Sequence, residues 1–571
     1  MRGRFRRAAF AGFAACAIAA AIPVAALAWN DGGGGDGGQH HRTQIKHVLL
    51  ISADGLHQSD LSWYVSHYPT SELAKLTNGG AQYTSAHTPI PSDSDPGMTA
   101  QMTGGDPRTT GVYYDVEYNH ALFPPGTQPG QCTGTPPGAN VVYDSPDDID
   151  VTRLDAGQGL LGLPGSILQM TSTPEDLLVP STFPVDPTTC KPIYPNQYLK
   201  VNTIFNVAHD HGMLTAWSDK HPVYTSFDGP EGNGITDSFD PEIDSNALMP
   251  NGTPYGTPGS PIAWTGDNAA TMQYDSYKVQ AVINWIDGWN HQHTTAPGVP
   301  AIFGMNFQTI STAEKLPTSD GLVGGDYPGT HTPGPLLQRA LGYLNDQLLM
   351  MDNGIQAQGL ANSTAIILSA KHGQSPQDPN QLTRIDDGPI MAAVNSAWAA
   401  LHPGAPPLVA AGTDDDAIMW WLSDTSPAAA RFVKNWLWTH PATGNTANGG
   451  TRTLPHSGLV KLYTGAESAR YFGVPVSDPR HPDVWGIVHV GVVYTGGKGK
   501  IAEHGGANPA DRDVPIVVYG PGVTPRVSDK WVETTQIAPT IMQLLGLNPN
   551  DLQAVQIQGT QVLPGIGGDG H

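Results

Sequence analysis

The chain is predicted to be an α/β protein in which a mainly parallel central sheet is covered by helices on both faces. Three observations predict it: short continuous apolar runs recur along the chain, helical patterns lie between them, and several runs stop at polar residues. A strand buried on both faces reads as an unbroken apolar run because neither face meets water. Residues 48–53 (VLLISA) are the first such run, and they end at Asp54-Gly55. Residues 213–217 follow, ahead of Asp219, Lys220 and His221; residues 301–307 precede Gln308; residues 365–369 precede Lys371 and His372. Residues 418–422, 486–494 and 515–519 complete the strand set. Between them Val279, Val282, Ile283 and Ile286 share one helical face, and Leu337, Leu341, Leu344 and Leu348 share another in a helix expected to stop near Gly354. Open sheets of this kind bind polar ligands beyond the carboxyl ends of their strands, which makes the residues just after each run the candidates for a site. Asp219, in the segment AWSDKHP, reads as a turn- or helix-capping residue.

At the N-terminus Arg2, Arg4, Arg6 and Arg7 precede an Ala-rich apolar stretch that closes on Ala26-Leu27-Ala28. A charged head, an apolar middle and a small-residue cleavage site make residues 1–28 a signal peptide, so the protein is expected to be secreted or held in the periplasm or cell envelope. A retained anchor is the alternative, because a run of ~20 apolar residues is long enough to span a bilayer. Residues 29–45 read as a flexible Gly-rich linker, 46–550 as one catalytic domain with turn-rich insertions at about 120–200 and 227–263, and 551–571 as a C-terminal tail. Removal of the signal peptide leaves Cys132 and Cys190, an even pair that in an exported chain reads as one disulfide; two free buried thiols are the alternative.

The full chain of 571 residues carries 51 Asp and Glu against 28 Lys and Arg, a formal net charge of -23. That balance excludes a basic nucleic-acid-binding surface, since each phosphate contact needs a cation. The 67 Gly and 51 Pro argue against a helical bundle, while 39% hydrophobic residues suffice for a packed core. No membrane association is expected once the signal peptide is gone.

Carboxylates and histidines at several strand ends point to a divalent metal, whose preferred ligands they are. Four segments sharpen this: HVLLISADGLH (47–57), TPIPSDSDPGMTAQMTGGDPRTTGVYYD (88–115), ILSAKHGQSP (367–376) and AEHGGANPADRDVPIVVYGPGV (502–523), followed by the helical TTQIAPTIMQLLGL (534–547). In this order they resemble the alkaline phosphatase superfamily, and within it the type I phosphodiesterase/nucleotide pyrophosphatase branch, over about residues 46–550. The resemblance implies a three-layer α/β/α sandwich and a metal-dependent hydrolase of phosphate esters, with a small diester, nucleotide-type anhydride or monoester as substrate. It implies that Ser94 is the nucleophile and forms a phosphoserine, and that Asp54, Ser94 and His372 hold one ion while His504 holds a second. Asp326 and His331, in GGDYPGTHTPGP, are expected to complete the second site. One or two Zn²⁺ ions are expected, with Ca²⁺, Mg²⁺ and Mn²⁺ as alternatives.

Three positions depart from the family pattern. Lys371 stands where the family has an aspartate, and is expected to serve catalysis by binding a phosphoryl oxygen or by lowering the pKa of Ser94. Gln308 follows a central strand where the family has a metal-binding aspartate, and Asp115 stands where it often has a substrate-binding asparagine. The alternative function is therefore a non-catalytic or one-metal binding relative. A sulfatase is a weaker alternative, because Ser94-Asp95-Pro96-Gly97-Met98 has methionine in place of the arginine of the sulfatase hallmark, so Ser94 is expected to act as itself.

Overall fold

The computed structural model describes residues 45–142, 148–158, 167–257, 259–494 and 499–567. The predicted signal peptide (1–28) lies outside the described residues, as does the linker apart from its last residue, Ile45, which is buried. No helix among the described residues is long and apolar enough to cross a membrane.

The central sheet has nine strands. His47–Ala53 lies between Thr364–Ser369 and Ile302–Phe307 and runs parallel to both, with Leu50 opposite Ile367 on one side and Gly304 on the other. Thr215–Ser218 and Asp237–Ser238 extend the parallel part past Ile302–Phe307. Side chains alternate across a strand, so consecutive apolar residues enter opposite layers. Leu49 and Ile51 pack with Phe303, Met305 and the apolar faces of helices Asn268–Ile286 and Pro335–Ala357. Val48 and Leu50 instead pack with Met98, Met102, Phe205 and Ile541 on the other face. This is the expected three-layer α/β/α sandwich. Gly304 is needed for it: a Cβ there would stand 1.8 Å from the Leu50 carbonyl oxygen.

Several expectations are corrected. The run 515–519 is a strand, Asp513–Tyr519, but it pairs antiparallel with both Thr364–Ser369 and Ala81–His87. The runs at 418–422 and 486–494 do not join the central sheet. Ala417–Leu422 and Val484–Val488 belong to a separate four-stranded antiparallel sheet with its own core of Trp420, Leu422, Val433 and Val484. An apolar run specifies a buried strand; partner and direction come from long-range packing. The long leucine helix passes Gly354, which packs against Ile283 and Ile286, and ends at Ala357. Within the expected C-terminal tail, the described residues 551–567 pack on the domain: Leu552, Val555, Leu563 and Ile566 are buried in the same layer as Ile541 and Met542.

Cys132 and Cys190 form the predicted disulfide within the first insertion. With 58 residues of sequence separation, loop-closure entropy assigns it about 4 kcal/mol of stability. Scanning calorimetry with and without a reductant is expected to show a lower melting temperature for the reduced chain, and identical midpoints would remove that assignment.

Candidate active site

The parallel strands end on the same side, and their following residues meet there. Ser94 is the first residue of helix Ser94–Thr103, which places its hydroxyl at the positive end of the helix dipole. The helix lies hard against the loop after Thr364–Ser369: a Cβ on Gly97 would stand 2.1 Å from the Lys371 carbonyl oxygen, so only glycine permits the approach. That approach brings His372 Nε2 to 3.3 Å from Ser94 Oγ. From the next strand but two, Lys220 Nζ donates to Ser94 Oγ at 2.9 Å.

Lys371 is fully buried and donates to Asp219 Oδ1 at 2.7 Å, with Asp54 Oδ2 at 4.0 Å and the Tyr224 ring centroid at 4.6 Å. Asp54 accepts from Asn306 Nδ2 at 2.7 Å and from Gln308 Nε2 at 2.6 Å. Burial alone would raise its pKa, but its neighbours, the Lys371 ammonium foremost, hold the carboxyl well below the ordinary range. Gln308 is fixed in turn by Asp275, which accepts from the backbone N–H groups of Gln308 and Thr309 at 2.9 Å.

His372 Nδ1 lies 2.8 Å from the Gly373 carbonyl oxygen. A proton on Nδ1 satisfies that carbonyl and leaves the Nε2 lone pair facing Ser94. Burial, and then the neighbouring His504, push the His372 pKa well below that of a free imidazole, so the ring is neutral near pH 7. Burial would also lower Lys220, but the Asp54, Asp115, Asp93 and Asp219 carboxylates outweigh it and hold the ammonium charged above its ordinary range.

Of the predicted site residues, Ser94, Asp54, Lys371 and His372 come together. His504 joins their rim: its ring centroid is 3.8 Å from that of His372, and its Nδ1 is 2.9 Å from Asp93 Oδ1. Asp115 is half-buried and acts on Lys220. Asp326 and His331 do not complete a second ion site here. Asp326 is buried beside His57, Glu314 and Gln374, and His331 lies in an exposed turn. Asp219 is an ion-pair partner of Lys371 rather than only a capping residue. Lys220 is the main functional residue that its sequence position as a strand-end residue marked without assigning it a role.

A pair of metal ions fits these side chains poorly. Each Asp54 oxygen accepts from an amide donor, and an ammonium stands near where the family places an anionic ligand. Among the described residues no group of three carboxylate, imidazole or thiolate donors converges on Ser94. The expected set of Asp54, Ser94, His372, His504, Asp326 and His331 is therefore not assembled as two ion sites. The physical reason is that two lysines bring positive charge to the place where ions would supply it.

The sequence profile of the type I phosphodiesterase/nucleotide pyrophosphatase family matches residues 48–509. Among solved structures, wild-type alkaline phosphatase PafA superposes with a TM-score of 0.57 at 13% identity, covering 88% of this chain and 96% of that one. Murine ectonucleotide pyrophosphatase/phosphodiesterase 5 superposes with a TM-score of 0.51 at 11% identity, covering 88% and 96%. At such identities the likeness shows the fold, which is alkaline-phosphatase-like. A search of curated proteins finds no match. With the family profile spanning most of the chain, the protein belongs to the type I phosphodiesterase/nucleotide pyrophosphatase family, whose members are metal-dependent, and is a phosphoric ester hydrolase.

Proposed function

We propose that the protein is an exported hydrolase of small phosphodiesters that works through Ser94, with Lys220 and Lys371 supplying charge at the nucleophile. The observation that carries this is the pair of contacts at Ser94 Oγ: Lys220 Nζ at 2.9 Å and His372 Nε2 at 3.3 Å. A serine hydroxyl is a weak nucleophile until a base takes its proton. Neutral His372 accepts that proton at Nε2 as Oγ forms its bond to phosphorus. The phosphorus–oxygen bond to the leaving alcohol breaks, and the departing alkoxide takes a proton from solvent. The imidazolium then lies 3.8 Å from Asp54 Oδ2, which favours it. Lys220 shifts from Oγ to a phosphoryl oxygen as charge develops there, and the N-terminus of helix Ser94–Thr103 adds to the same field. His372 returns its proton to solvent, then accepts one from water as that water attacks the phosphoserine; the bond from phosphorus to Ser94 Oγ breaks, and the serine oxygen takes that proton back from His372 Nε2. No step of this scheme passes through a metal ion.

The local charge favours a diester over a monoester. Asp54, Asp93, Asp115 and Asp219 surround only two ammonium groups, so a dianionic monoester meets more repulsion than a monoanionic diester. Export rests on the N-terminal segment 1–28, and the purified native protein should begin at Trp29.

Lys220→Met is the test. Turnover of bis-p-nitrophenyl phosphate is expected to lose on the order of 10²- to 10³-fold in kcat, as when one preorganised charge donor is removed from a transition state. An unchanged kcat would remove Lys220 from the mechanism.

A further inference from the structure

A second group of ionisable side chains lies apart from Ser94 and is unused by the reaction scheme. His57 Nδ1 is 2.9 Å from Asp60 Oδ2 and 3.1 Å from Glu314 Oε1, and one donor atom from each of the three falls within 4.8 Å of the others. All three residues are buried. Asp326, 5% exposed, has no hydrogen-bond partner for either carboxylate oxygen, and Asp60 Oδ1 has none. With His57, Glu314 and Gln374, Asp326 lines a cavity of about 10 Å³, room for one water-sized occupant. Among the described residues no Lys or Arg makes an ion pair with any of these carboxylates. Three buried carboxylates against one imidazole leave a negative excess that a cation would neutralise.

We propose that His57, Asp60 and Glu314, with Asp326 facing the adjoining cavity, form a structural site for one divalent ion of the zinc or manganese type. The Gln374 backbone meets the imidazole with both its groups: His57 Nε2 lies 2.9 Å from the carbonyl oxygen and 3.1 Å from the backbone nitrogen. With the proton on Nε2 the Nδ1 lone pair faces Asp60 and Glu314, as in metal-bound histidines whose second nitrogen is held by the backbone; with the proton on Nδ1 the Gln374 N–H donates to Nε2 instead. An imidazole with carboxylates suits Zn²⁺ or Mn²⁺ better than the all-oxygen sets taken by Mg²⁺ and Ca²⁺. His57 lies three residues after Asp54, Gln374 two residues after His372, and Glu314 on the helix Thr309–Lys315 that follows Gln308. The ion would thus tie together three of the loops that carry the Ser94 site. The competing arrangement needs no ion: a protonated His57 shared by Asp60 and Glu314, with Asp326 protonated.

The site can be tested by stripping the full chain with EDTA, dialysing it against Zn²⁺ or against Mn²⁺, and measuring bound metal and melting temperature. The double variant Glu314→Gln/Asp326→Asn is expected to retain one ion fewer than wild type, and the ion should raise the melting temperature of wild type alone. His372→Ala should keep the ion, which separates this site from any ion bound beside Ser94. Equal metal content in wild type and the double variant, or no bound ion in either, overturns the proposal. Asp326→Asn alone guards against misfolding, because no hydrogen bond is lost from its carboxylate. It should weaken ion binding at least tenfold and raise the melting temperature of the ion-free chain; wild-type ion affinity in this variant, with native circular dichroism, would also overturn the proposal.

Discussion

Replacing Ser94 with alanine is expected to lower turnover of an aryl phosphodiester by on the order of 10³-fold or more, with a smaller change in KM. The hydroxyl is fully buried and contacted by Lys220 and His372, and among the described residues no other hydroxyl contacts both groups. Its loss removes the covalent route and leaves only direct attack by water in a site still charged to receive phosphate. Brief reaction of wild type with substrate, an acid quench and mass spectrometry of the peptide containing Ser94 should detect phosphoserine; Ser94→Ala should not form it. Turnover within tenfold of wild type would show that another group attacks phosphorus.

Lys371→Met is expected to destabilise the fold by about 3–5 kcal/mol, because removing one member of a buried ion pair leaves the other charged and unsolvated. Lys371 and Asp219 are both fully buried at 2.7 Å, and Asp54 stands 4.0 Å from the same ammonium. Methionine keeps most of the side-chain volume, so the loss reports charge rather than packing. Lys371→Met/Asp219→Asn should recover part of the stability, which a double-mutant cycle in urea unfolding would measure. A single-variant loss below about 1 kcal/mol would mean that Asp219 and Asp54 are satisfied without the lysine.

The two lysines explain where sequence reading stopped short. Lys371 was legible as a departure from the family pattern and as a residue placed just after a buried strand. Lys220 occupies the equivalent place after Thr215–Ser218, yet nothing local distinguishes its side chain from a solvent-facing one. Its contact with Ser94 joins residues 126 positions apart and depends on the order of strands in the sheet. Gln308 shows the same limit. In sequence it is a missing ligand, whereas in the fold it binds the Asp54 carboxylate with Asn306 beside it.

By itself the sequence determined the α/β class, the main parallel strands and their polar ends, the cysteine pair, and the motif order that marks the family. These follow from local periodicity and from residues whose chemistry is recognisable in short segments. Only the tertiary structure decided that two apolar runs form a separate antiparallel sheet, that Asp326 lies with His57 and Glu314, and that Lys220 stands at Ser94 and Lys371 beside Asp54, where ions were expected. The reason is physical: hydrophobic pattern specifies which residues leave water, but the charge surrounding a buried group is set by side chains that chain topology brings in from distant segments.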